Sequence, residues 1–246
     1  MPAHSTDRLF PTAWLEELDT LDASWHGGDH STAVEVRAAL VIWRERMQRP
    51  ANSDEEWFDV VDVFGEPFGW SAPRWFCHLT GLRHRVVYAF LTSPQGLLAL
   101  QMRAHDKLEW PSMFDTTVGG HLKAGQEWWS GILGEIEEEV GLPADATDLW
   151  LAEGTLHRVG KPYDRSGMDQ GTPPYRNRQV NLIFAGELTA WGLANLHFAD
   201  GEVSGVFFCT PQEVLRMIES DFLIAPGLRS AFYRWWTAYT CPEKPR

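Results

Sequence analysis

Residues 119–142 read GGHLKAGQEWWSGILGEIEEEVGL, a glycine-rich loop that runs into a helix. Gly119, Gly120 and Gly125 suit turns, and the apolar spacing that follows predicts a helix from about Gln126 to Val140. Gly141 suits a left-handed cap at its end, and Pro143 forbids continuation. Glu135, Glu138 and Glu139 are spaced i, i+3, i+4, so three carboxylates share one helix face. Ile132, Leu133, Ile136 and Val140 form a neighbouring apolar sector that would seat the helix on a sheet. Each like-charge pair costs about 0.2–0.5 kcal/mol in an isolated helix. A bound Mg²⁺ would remove that repulsion and bridge to phosphate oxygens. A solvated acidic face is the other reading of such a run.

Around this segment the pattern turns to strands. WFDVVDVF at 57–64 is followed by the turn residues Gly65, Pro67 and Gly69. HRVVYAFL at 84–91 and GLLALQMR at 96–103 form a hairpin through residues 92–95. Further strands are expected near 149–157, 179–187 and 200–208. A helix is expected from Pro211 to about Ser220, with a last one near 226–239. The class is α/β or α+β, a mixed sheet with interleaved helices. Residues 1–55 read as a helical extension, with a helix from Ser31 or Thr32 to about Gln48 and a linker at 50–54. Packing, or contact in an oligomer such as a homodimer, is the use expected of it, and 56–246 is the principal domain.

The chain of 246 residues has a formal charge of −13, from 34 acidic and 21 basic side chains. That sign argues against a nucleic-acid polymer or an anionic membrane surface as partner. The three cysteines are far apart, which fits a reducing, cytoplasmic compartment. No apolar run approaches a membrane span. Residues 157–178, HRVGKPYDRSGMDQGTPPYRNR, carry five basic and two acidic side chains. This reads as a loop of about 20 residues, either a phosphate clamp using Arg158, Lys161 or Arg165, or a disordered insertion. Trp128 and Trp129 are the aromatic rings placed best to stack a base.

The segment 119–142 resembles the Nudix box, G-x5-E-x7-R-E-U-x-E-E-x-G-U, where U is a bulky aliphatic residue. Gly120, Glu135, Ile136, Glu138, Glu139, Gly141 and Leu142 fall in register. Gln126 stands where the family has Glu, and Gly134 where it has an Arg that helps orient a catalytic glutamate. Glu127 lies one position on from the missing acid. DVVDVFGEPFG, GLRHRVVYAFL, the spacing of residues 101–115, TTVGGH and DGEVSGVFFCTPQEV are similar to the branch containing isopentenyl-diphosphate isomerase.

The resemblance implies an α/β/α sandwich around a mixed sheet and a Mg²⁺ (or Mn²⁺) ion. Glu135, Glu138, Glu139 and the Gly120 carbonyl would hold that ion. Glu135, Glu138 or Glu202 would serve as base, with Arg103, Lys107, His121 and Glu202 facing the substrate. The implied activity is hydrolysis of a diphosphate bond in a nucleotide-like or other organic diphosphate. A non-catalytic binding module is the alternative that Gln126 and Gly134 motivate.

The isomerases themselves imply a catalytic Cys where this chain has Gly119. They also imply a second metal on three histidines and two glutamates. His84 and His121 match two of the histidines, and His78 lies one residue out of spacing for the third. In YRNRQV at 175–180, Arg176 and Arg178 are expected at the two acid positions. An isomerase is therefore the third reading, and His84 and His121 are expected to be structural or substrate-facing.

Overall fold

The computed structural model describes residues 56–74, 77–78, 81–107, 109–169, 175–198 and 201–240. The expected helix at 31–48 and the whole extension 1–55 lie outside the described residues. Nine strands are described: β1 (Trp57–Val61), β2 (Pro67–Pro73), β3 (His84–Thr92), β4 (Leu98–Arg103), β5 (Phe114–Asp115), β6 (Val118–His121), β7 (His157–Asp169), β8 (Tyr175–Glu187) and β9 (Val203–Cys209). The described helices are α1 (Trp128–Val140), α2 (Thr147–Trp150), α3 (Ala190–Ala194), α4 (Pro211–Glu219) and α5 (Pro226–Thr240).

β3 is the centre of the fold. Eight of its nine residues are buried, as expected of a strand covered on both faces. It runs parallel to β8, with His84 opposite Gln179 and Val86 opposite Asn181. On its other side it pairs antiparallel with β6, which sets Val86 against His121 and Tyr88 against Gly119. β4, β5 and β9 extend the sheet on that side, and β7 forms the far edge beside β8. β1 and β2 form a separate antiparallel pair.

Strand alternation splits the core in two. Val87, Ala89 and Leu91 face α1, where Ile132, Ile136 and Val140 meet Leu182 and Phe184. Val86, Tyr88 and Phe90 face the other way, against Val214 and Ile218 of α4 and Leu228, Phe232 and Trp235 of α5. Burying each large side chain contributes about 1.5–3 kcal/mol relative to exposure. The sheet is thus mixed and covered by helices on both faces, as the α/β reading requires.

The helix of the glycine-rich segment starts at Trp128, two residues later than expected, and ends on Gly141 at φ 71°. Its cap N–H donates to the Glu137 carbonyl. Two expectations fail. The region 149–157 is not a strand: α2 occupies 147–150, and β7 starts only at His157. The basic stretch 157–178 is not a loop either, because most of it forms the β7–β8 hairpin, paired from His157↔Ala185 to Asp169↔Tyr175. A register shift between Val159 and Tyr163 marks a bulge, where Gly160 sits at φ 71°. No helix among the described residues is long and apolar enough to cross a membrane.

Candidate functional site

The α1 carboxylates reach over the edge of the sheet at β6, where two glycines leave room for them. A methyl group added to Gly120 would lie 2.1 Å from the Glu135 carboxyl, so this carboxylate rests directly on the backbone. Glu139 is 5% exposed and accepts hydrogen bonds from the Gly119 N–H at 3.0 Å and from Gln101 Nε2 at 3.4 Å. Glu138 is exposed and pairs with Lys123 Nζ at 2.9 Å. Burial, then the neighbouring Glu138, pushes the Glu135 pKa up to about 8. Burial, then Glu135, also raises Glu139. Two carboxyls held above their ordinary range, against backbone and beside a third, make a site that gains by taking up a cation.

These groups form one wall of a cleft of about 740 Å³. Every site residue expected from sequence lines it: Glu135, Glu138, Glu139, Gly120, Arg103, Lys107, His121 and Glu202. Glu202 also raises the pKa of both Glu135 and Glu139, so it converges on the same charge cluster. The two cations are already engaged. Arg103 donates from Nε and Nη2 to the Glu109 carbonyl at 3.2 and 3.0 Å, and from Nη1 to Asp115 at 3.3 Å. Lys107 Nζ lies 2.5 Å from Glu202. Of the expected basic clamp only Arg165 lines the cleft, whereas Arg158 and Lys161 are exposed elsewhere on the hairpin.

A second cluster sits beside the first. His78, His84 and His121 bring ring nitrogens within 4.8 Å of one another. Phe58 stacks on His84 and His121, with ring centroids 5.1 and 4.8 Å apart. His84 Nδ1 lies 2.9 Å from the Leu82 carbonyl, so it carries the proton there and leaves Nε2 as a bare lone pair. Nε2 of His84 and of His121 are buried without a hydrogen-bond partner among the described residues. Burial is the main cause that lowers all three pKa values, to about 2 for His78 and about 4 for His84. Three neutral imidazoles converging in this way fit a transition-metal ion. The sequence marks these three positions through the isomerase resemblance, and the β3–β6 pairing brings His121 beside His84.

Other expectations are corrected. Asn177 and Gln179 line the cleft and Arg178 does not, because strand alternation sends the odd-numbered residues of this stretch to the side of His84. Gln179 accepts a hydrogen bond from Arg165 at 3.1 Å. A Cβ on Gly119 would come within 2.7 and 2.9 Å of the Tyr88 ring, so Tyr88 fills the place of a side chain there. Neither Trp128 nor Trp129 lines the cleft. Trp128 lies under the Arg85 guanidinium, and Trp129 packs edge-on to Phe184. Among the described residues Trp110 lines the cleft, on a loop inside the spaced segment 101–115.

Comparison with known proteins agrees with this geometry. The family model of the NUDIX domain matches residues 82–228. The chain is 43% identical over 96 residues to Nudix hydrolase 3 of Arabidopsis thaliana, covering 37% of this chain but 12% of that protein. It is 36% identical over 90 residues to an uncharacterized Nudix hydrolase of Streptomyces coelicolor, of which it spans 49%. With the uncharacterized Nudix hydrolase YfcD of Salmonella typhi it shares 32% identity over 182 residues, 74% of this chain and 85% of the relative. A crystal structure from Deinococcus radiodurans superposes with a TM-score of 0.55 at 23% identity, over 73% of this chain and 98% of that one. The fold, the carboxylate helix and these similarities agree: the chain belongs to the NUDIX domain family.

Proposed function

We propose that the protein is a Mg²⁺- or Mn²⁺-dependent hydrolase that cleaves the diphosphate bond of a nucleotide-like or other small organic diphosphate. The observation that supports this best is that Glu135, Glu138, Glu139 and Glu202 line one cleft with Gly120, Arg103 and Lys107. The carboxylates and the Gly120 carbonyl would hold the ion. When bound, it supplies a Lewis acid for the phosphoryl oxygens and lowers the pKa of a coordinated water. Glu135, half-buried at the cleft wall, or Glu138 or Glu202 beside it, would accept the proton of the attacking water. Lys107 and Arg103 offset the charge that develops on the leaving phosphate. The free thiols of Cys77 and Cys209 suit a reducing, cytoplasmic setting. The extension 1–55 is its appendage, and a homodimer contact is the simplest use for it.

A panel of nucleoside di- and triphosphates, dinucleotides, sugar nucleotides and prenyl diphosphates with Mg²⁺ or Mn²⁺ tests the reading. Glu139→Gln should lose turnover by about 100-fold or more while keeping its melting temperature. No turnover with any substrate, while one of them still raises the melting temperature, favours the binding module instead.

The histidine cluster favours a second reading, a second metal as in the isomerase-like branch. Gly119 without a thiol, and the neutral Asn177 and Gln179 where acids are needed, count against isomerase chemistry itself. Metal content of the purified protein, compared with His84→Ala, tests the second ion. A prenyl-diphosphate isomerisation assay tests the activity.

A further inference from the structure

The box departs from its family at two positions, and the fold sets these two side by side. A Cβ built on Gly134 would lie 3.6 Å from Gln126 Nε2. An acid at 126 and an arginine at 134 would therefore form an ion pair tying the loop to α1. This chain has neither charge there, yet the loop is held firmly by other means.

We propose that Arg85, fixed by Asp59, is the positioning residue of the metal-binding loop and takes the role the box assigns to that pair. The proposal rests on the hydrolase reading given above. Arg85 lies on β3 and is 4% exposed. Its Nη2 donates to Asp59 Oδ2 and to the Gln126 carbonyl, each at 2.8 Å. The same Asp59 oxygen accepts the Gly125 N–H at 2.8 Å. The Arg85 carbonyl accepts the Leu122 N–H at 3.0 Å, and the Ala124 N–H donates to Trp57. The guanidinium also lies 5.4 Å from the Trp128 ring centroid, at the start of α1. A cation this buried is costly unless paired, so the pair with Asp59 holds a definite place.

Residues 122–126 lead straight on from Gly120 and His121, and they deliver Lys123 to Glu138. The clamp thus sets where the Gly120 carbonyl and Glu138 stand. Arg85 makes no hydrogen bond or ion pair with the three α1 carboxylates, so it acts through the loop.

Arg85→Met, with Asp59→Asn as the milder variant should the first not fold, tests the proposal. Amide hydrogen exchange over 122–126, Mn²⁺ binding by electron paramagnetic resonance and the melting temperature are measured together. Exchange in the loop should quicken by about 10-fold or more relative to α4 and α5. The Mn²⁺ dissociation constant should rise about 10–100-fold, as for other outer-shell partners of a metal site. Adding Gln126→Glu with Gly134→Arg to the variant should restore both. Unchanged loop exchange overturns the proposal, as does unchanged Mn²⁺ affinity in a loosened loop. A folded rescue variant that restores neither also overturns it. If the wild type binds no Mn²⁺ the hydrolase reading falls instead, and loop exchange with its rescue still decides the clamp.

Discussion

Gly120→Ala is the sharpest perturbation of the carboxylate site. The new methyl would lie 2.1 Å from both the carboxyl carbon and Oε2 of Glu135, and 2.5 Å from Oε1. Ordinary contact needs more than 3 Å, so the carboxylate must retreat by about 1 Å. The obstacle is the far end of a flexible side chain, so the fold absorbs the change at a cost of about 1 kcal/mol or less. The site does not absorb it, because Mg²⁺–oxygen bonds of about 2.0–2.1 Å leave a few tenths of an ångström of tolerance. A displacement of about 1 Å at a reacting group costs on the order of 100-fold in rate. Melting temperature by calorimetry, Mn²⁺ binding and turnover of the best substrate in the panel would be compared with wild type. A variant with wild-type turnover and Mn²⁺ affinity would refute the placement of Glu135 at the metal.

Four further outcomes are expected. Glu135 titrates near pH 8 when folded and near 4.5 when unfolded, so above about pH 4.5 the unfolded state binds fewer protons and this group's contribution to metal-free stability should fall as pH rises to about 8. Glu135→Gln should flatten that fall in melting curves recorded against pH. His84, at about 4 folded against 6.5 unfolded, acts in the opposite sense: stability drops as pH falls below 6.5, and His84→Asn should reduce that acid limb. Gly119→Cys should give no isomerase activity and should destabilise by about 1–3 kcal/mol, since its Cβ meets the Tyr88 ring; a gain of isomerisation would contradict this. Thr210→Ala removes the capping box that Thr210 and Glu213 form at α4, costing about 1 kcal/mol with no change in turnover. Thermal unfolding and the same hydrolysis assay check it.

The helix carrying Glu135, Glu138 and Glu139 was legible because its apolar period and its end signals agree with its packing. The central strand β3 was legible as an unbroken apolar run. Of the β7–β8 hairpin only 179–187 was legible as a strand, because residues 164–169 and 175–178 lack a clear apolar alternation and pair through the backbone ladder. The histidine cluster was legible through the family resemblance alone, which marks His84 and His121 and puts His78 one residue out of spacing. Its members lie at 78, 84 and 121, and only the pairing of β3 with β6 sets His121 across from Val86, beside His84. The facing of Asn177 and Gln179 was likewise a question of strand register, where one residue of slip exchanges the two faces. Arg103 illustrates the remainder: its type and place in the chain suggested a phosphate contact, but not that its guanidinium would be spent on Glu109 and Asp115.

Two adjacent residues of β6 serve the two clusters: Gly120 lies against the Glu135 carboxyl, and His121 belongs to the histidine group. Were both proposed sites to hold a cation, the two charges would oppose each other across that shared strand. Thermodynamic reciprocity then requires that each weaken the other by the same factor. Loading of the histidines would set the Mg²⁺ concentration at which the carboxylates fill. A titration of either ion is therefore interpretable only when the occupancy of the other is held constant.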